Sequence, residues 1–276
     1  MKKKKDDSSE KLMIACGGLA GVFALGMLGY VLYDNIRDSQ PSSNGLNLVS
    51  YNAHLSPGVH KVILTDSFYQ HFSDNRTEKY QDFAIDCVKK AYSDLNTYTT
   101  GIKFDLYTQN DGLLKYGFKK AESIDTANDL PIYVSTESLS TDESKASPIA
   151  ICHHEVNSFS RELHNEYIKV YKPYIYSIFN SGGKTWEQNF NPSNSYFYAT
   201  LVHETMHAMG FAHQEKKDSV MYLYSGRTTP HELTEKDIEM IRTYNTTFYK
   251  EEIETPVFAD KIEEITESEA DDGMEM

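Results

Sequence analysis

The sequence predicts an α+β domain, and three observations carry that prediction. Apolar residues recur at helical spacing over 78–98, over 194–209 and in the stretch that opens at Thr234. Short apolar or alternating runs of strand length lie near 60–65, 102–107, 130–134, 148–152 and 174–179. The two ends of the 276-residue chain do not read as folded domain. That leaves a body of roughly 200 residues, long enough for one buried core.

Taken in order, residues 1–11 begin with a run of four lysines at 2–5 and read as a basic, cytoplasmic N-terminus. Leu12 to Tyr33 is an uncharged, mostly apolar run of 22 residues. A helix of that length measures about 33 Å, enough for a bilayer core of about 30 Å. It reads as a transmembrane signal anchor with everything after Asp34 outside the cell. A cleaved signal peptide is the rival, since Ala24-Leu25-Gly26 is a passable cleavage site. It would leave Met27 to Tyr33 as an apolar new terminus, which weighs against it. Residues 34–59 are rich in Ser, Asn, Gly and Pro and read as a linker. The domain is then expected over 60–250.

Within it, His60 to Thr65 reads as a strand. Phe83, Ala84, Cys87, Val88, Ala91 and Leu95 line one face of a helix over 78–98. Ile102, Phe104 and Leu106 alternate with Lys103 and Asp105 as a strand. Residues 157–167 read as a helical insertion. Helix 194–209 has Ser193 or Ser195 as its N-cap. The last helix opens with Thr234-Glu235-Lys236-Asp237, a near capping box with Asp in place of Glu, followed by Ile238, Ile241 and Tyr244. Residues 251–276 hold 11 acids and one lysine and read as a disordered acidic tail. The tail carries most of the net charge of −14. No basic face is evident, so nucleic acid is not an expected partner. Cys16, Cys87 and Cys152 fit no metal or redox spacing. Cys87 and Cys152 are either a disulfide pair or two buried thiols.

Residues 203–213 read HETMHAMGFAH. His203 and His207, four apart on a helix, project from one face and can bind one metal ion. Glu204 sits beside them as a candidate general base toward a water. Gly210 falls where the helix must end, and glycine can take the left-handed conformation that turns the chain sharply. That turn brings His213 back as a third ligand. Three imidazoles and one open position describe a catalytic rather than a structural zinc site. The added Gly and third His cut chance matches by a factor of roughly several hundred.

This string is the signature of the metzincin metallopeptidases, and the sequence resembles them further along. Met221, in Asp218-Ser219-Val220-Met221-Tyr222, resembles the Met-turn of that family. His231 to Asn245, HELTEKDIEMIRTYN, resembles the last helix of the matrixin branch. The resemblance implies a twisted, mostly parallel sheet with one antiparallel edge strand, two backing helices and a C-terminal helix. It implies one catalytic zinc on His203, His207 and His213, with Glu204 as general base for hydrolysis of a peptide bond by zinc-activated water. It also implies a structural role for Met221 and Tyr222, and an extended peptide substrate along the edge strand.

Four departures stand out. Gln214 and Leu223 replace the family's usual Ser and Pro. No cysteine switch precedes the domain. The calcium and structural-zinc loops of animal matrixins are unmatched, so calcium is unsupported, and His153 and His154 read as surface or rim residues. A membrane-tethered, zinc-binding scaffold without catalysis is the alternative function, but Glu204 has no role as a zinc ligand and argues for an enzyme. Substrate identity and oligomeric state are not encoded in any motif.

Overall fold

The computed structural model describes residues 46–50, 52–73, 77–136, 149–172, 175, 191–192, 195–222 and 230–249. The apolar run at 12–33 and the acidic tail at 251–276 lie outside these residues. Among the described residues, no helix is long and apolar enough to cross a membrane.

Six strands form one mixed sheet. They are β1 (Gly58–Leu64), β2 (Ile102–Thr108), β3 (Lys119–Lys120), β4 (Leu130–Ser135), β5 (Ala150–Val156) and β6 (Leu163–Tyr171). Their spatial order is β3-β2-β1-β4-β6-β5. Every neighbouring pair is parallel except β5 with β6. The predicted antiparallel edge strand is therefore β5. Among the described residues, the helices α1 (Asp66–Ser73), α2 (Glu78–Tyr98), α3 (Tyr196–Ala208) and α4 (Glu235–Phe248) accompany the sheet. A 3-10 helix spans Asp111–Tyr116.

Helix α2 forms where its apolar residues recur at helical spacing, and Phe83, Ala84, Cys87, Val88, Ala91 and Leu95 are all buried. It lies against α3, and two polar bonds fix that contact. The Tyr198 hydroxyl donates to Asp94 Oδ2 at 2.6 Å, and the hydroxyls of Tyr92 and Thr205 share a bond of 2.9 Å. A buried Phe or Leu in this layer contributes about 1.5–3 kcal/mol. Phe72, Phe197 and Leu201 are among those essentially sealed from solvent.

Two expectations need correction. The helical insertion expected over 157–167 is the β5–β6 hairpin turn and the start of β6. Asn157 turns the chain there, its side chain accepting from the amides of Phe159 and Ser160. The part of the expected linker that is described, from residue 46 onward, belongs to the domain. Leu46, Leu48, Ala53 and Leu55 are buried to within 2 % of full enclosure. Strand β1 itself starts at Gly58. The strand expected over 174–179 falls almost entirely outside the described residues.

Candidate metal centre

Helix α3 is capped at its N-terminus by Ser195, whose hydroxyl accepts from the Phe197 amide at 3.1 Å. It ends in the pattern expected of a glycine cap. The amide of Gly210 bonds the carbonyl of His207 at 2.8 Å, and that of Phe211 bonds Met206 at 3.0 Å. Gly210 has φ +101°. A side chain there would also place Cβ 2.6 Å from the carbonyl oxygen of Ala53. Two independent reasons thus require glycine at this turn.

The turn does what the motif predicts. The Nε2 atoms of His203, His207 and His213 lie 3.1 Å, 3.3 Å and 3.1 Å from one another. Ligands at zinc–nitrogen distances of about 2.0–2.1 Å in tetrahedral geometry stand about 3.3–3.4 Å apart, so the triad fits one such ion. The other ring nitrogens agree. His203 Nδ1 donates to the Val220 carbonyl at 2.7 Å, and His207 Nδ1 donates to Phe211 at 2.7 Å. A carbonyl accepts only from a protonated nitrogen, which puts the lone pair of each of these two neutral rings on Nε2, the atom that converges on the triad. Burial, aided by the neighbouring His203 and His213 rings, holds His207 well below the ordinary imidazole range, so it is neutral as a ligand must be. Three converging lone pairs repel unless a cation sits between them. Among the described residues this is the one cluster of metal-ligating side chains able to hold an ion.

Glu204, next to His203 in the sequence of α3, is buried. Burial pushes its carboxyl up to about 8, and the backbone N–H of Cys152, from edge strand β5, holds it down in part. A divalent cation at the triad would lower it further. Cys152 and Cys87 are both free thiols. Burial raises the Cys152 thiol well above its ordinary value, with the carboxylates of Glu166 and Glu204 adding to the shift.

The stretch expected to form the Met-turn, Ser219 to Tyr222, is a turn. Met221 is fully buried. The Tyr222 amide bonds the Ser219 carbonyl at 3.2 Å, and Met221 O accepts from the Gln214 amide at 2.7 Å. Hence the segment after His213 is tied directly to Met221. Val220, whose carbonyl orients His203, is in turn held by Asp237 of α4. His153 and His154, expected at the surface or rim, are both half-buried. His153 stacks on Tyr167 at 4.7 Å. Burial, with His153 next to it, pushes the His154 ring down to about 4.

Sequence reasoning missed Asn47, whose side chain reaches the His213 carbonyl, and the link from Asp237 to Val220. The alternation Leu46-Asn47-Leu48 inside a polar stretch was the available signal for the first. Nothing local signals the second.

The sequence model of the matrixin family matches residues 68–245. Among solved structures, metalloproteinase-II from Bacteroides fragilis is similar at 11% identity and a TM-score of 0.36, covering 70% of this chain and 55% of that one. The chain thus spans little more than half the length of that structure. No curated protein sequence matches it. With more than half of its length matched by the family model and the motif histidines brought together in space, the chain belongs to the matrixin family.

Proposed function

We propose that this chain is a zinc endopeptidase that cuts an extended peptide laid along β5, and that the run at 12–33 anchors it in a membrane with the domain outside. The single observation that carries the catalytic part is the convergence of three Nε2 atoms within 3.1–3.3 Å, next to a buried carboxyl.

Zinc held by His203, His207 and His213 would polarise a carbonyl and make water nucleophilic near neutral pH. Glu204 takes the proton of the attacking water on its carboxylate and delivers it to the leaving amine nitrogen. The N–H of Cys152 orients that carboxylate. Burial keeps bulk water away from it, so its basicity is set by the site. Among the described residues, strand β5 pairs only with β6 in the sheet order, and its outer edge is proposed to take a substrate strand. The family match supports a protein or peptide as the substrate class. The lysines before the 12–33 run support the proposed orientation.

The test is incubation of the full chain with a mixed peptide library, with and without a chelator. Cleavage that the chelator abolishes and added zinc restores is the expected result. Chelator-insensitive cleavage, or none with zinc bound, would overturn the reading. For the anchor, membrane fractionation of intact cells should retain the full-length chain. A soluble chain beginning near Met27 would favour the cleaved signal peptide instead.

A further inference from the structure

We propose that Asn47 is a positioning residue for the third metal ligand, and that residues 46–50 and 52–55 act as a strap holding the 210–213 turn in ligating geometry. The inference rests on the reading that His203, His207 and His213 share one zinc ion.

The two helical ligands need little help, because the α3 backbone fixes them one turn apart. His213 has no such support. It follows the end of α3, in a segment outside any helix or strand. The strap supplies what regular structure does not. Leu48 and Phe211 form an antiparallel bridge. The Val49 amide donates to the Gly210 carbonyl at 2.9 Å, and the Ala212 amide donates to the Asn47 carbonyl at 2.9 Å. The Asn47 side-chain amide then donates to the carbonyl of His213 itself at 2.7 Å. Three of the four residues from 210 to 213 are thus bonded to the strap. Further along, Ala53 closes on Gly210, which explains the lack of room for a side chain there.

The far end of the strap is anchored on two other elements. Arg161 Nη2 donates to the Ser50 hydroxyl at 2.5 Å. The Leu163 amide donates to the His54 carbonyl at 2.8 Å. The His54 ring stacks on Phe248 of α4 at 4.5 Å and 7°. The Leu55 amide donates to the Tyr244 hydroxyl at 2.9 Å, and the Tyr249 hydroxyl donates to the Leu55 carbonyl at 3.0 Å. The strap therefore joins the third ligand to the β5–β6 hairpin and the last helix. A metal site needs its ligands held to within about 0.5 Å, and the supporting shell provides that.

The experiment uses full-length chain carrying Asn47→Ala, Asn47→Asp or His213→Ala, and reads the rate of zinc release to a chromophoric chelator. Asn47→Asp keeps the shape of the side chain but removes the donor, so the comparison survives if the alanine variant does not fold. Loss of an outer-shell partner commonly costs 10–100-fold in metal affinity, and about tenfold faster release is expected for both Asn47 variants. In a His213→Ala background the same substitutions should add nothing, which a general loss of stability would not reproduce. Wild-type release from Asn47→Ala and Asn47→Asp, with His213→Ala accelerated, would overturn the strap and leave the zinc site standing. Wild-type release from His213→Ala would overturn the ligand assignment and the inference together.

Discussion

Replacing Asp237 by alanine should destabilise the whole lower half of the site, although Asp237 touches no ligand. The residue is fully buried at the start of α4. Its Oδ2 accepts from the Thr234 hydroxyl at 2.7 Å, the Thr234 amide at 3.0 Å and the Val220 amide at 3.1 Å. Its Oδ1 accepts from the Ser219 hydroxyl. Alanine leaves the Ser219 hydroxyl and the Val220 amide buried without this acceptor, while the half-buried Thr234 can turn to water. Each stranded buried donor costs about 1–3 kcal/mol, so the two together cost about 2–6 kcal/mol. For a domain of about 200 residues, 1 kcal/mol moves Tm by about 2–4 °C, so a fall of about 4–24 °C is expected. Asp237→Asn keeps the shape and one acceptor, and should cost about 1–2 kcal/mol. Thermal unfolding followed by circular dichroism measures both. A fall under about 3 °C for the alanine variant would refute the idea that this carboxylate carries the Met-turn.

Gly210→Ala meets both a positive φ and the Ala53 carbonyl oxygen, so urea unfolding should show a loss of at least about 2 kcal/mol. A loss under about 1 kcal/mol would mean the strap does not close there. Saturating zinc, at about 100 times its Kd, should raise stability by about 2.7 kcal/mol, and a melting curve indifferent to zinc would contradict binding at the triad. Glu166, on β6, is buried with no hydrogen-bond partner for its Oε1 among the described residues, and burial pushes its carboxyl well above the usual range. A raised folded pKa means that its stability is full below the unfolded value of about 4.3 and is lost as pH climbs toward the folded value. Glu166→Gln should therefore match or exceed the parent in stability at pH 7, with the gain shrinking near pH 4. A Gln variant weaker than the parent at pH 7 but equal to it at pH 4 would reverse the sign.

Most of the sheet was legible because its strands are short apolar runs between clear punctuation, as at His60–Thr65 and Ile102–Tyr107. The ligand triad was legible because helix spacing and one glycine fix where three histidines go. Strand β6 was not. The pairing of β5 with β6 shifts register between His153 and Glu155, and Asn165 takes a positive φ of 52°. Leu163 and Glu166, three apart, both end up buried, which breaks the two-residue period and imitates a helix. Helix α1 escaped because eight residues give too little periodicity, though Phe68 and Phe72 are both buried. The strap escaped because its partners, the 210–213 turn and α4, lie more than 150 residues away in sequence. Local composition reports polarity, and the burial of Leu46, Leu48 and Leu55 depends on those distant partners.

The central claim, that Glu204 moves the proton in a zinc-dependent hydrolysis, is tested most directly by comparing the parent with Glu204→Gln at one zinc per chain. The glutamine has the same shape and can still bond the Cys152 amide through its carbonyl oxygen, but it cannot accept a proton. Zinc content should be unchanged, and peptide turnover should fall by about 10²–10⁴-fold, the usual contribution of a general base. A variant that keeps one zinc and most of its turnover would contradict the account.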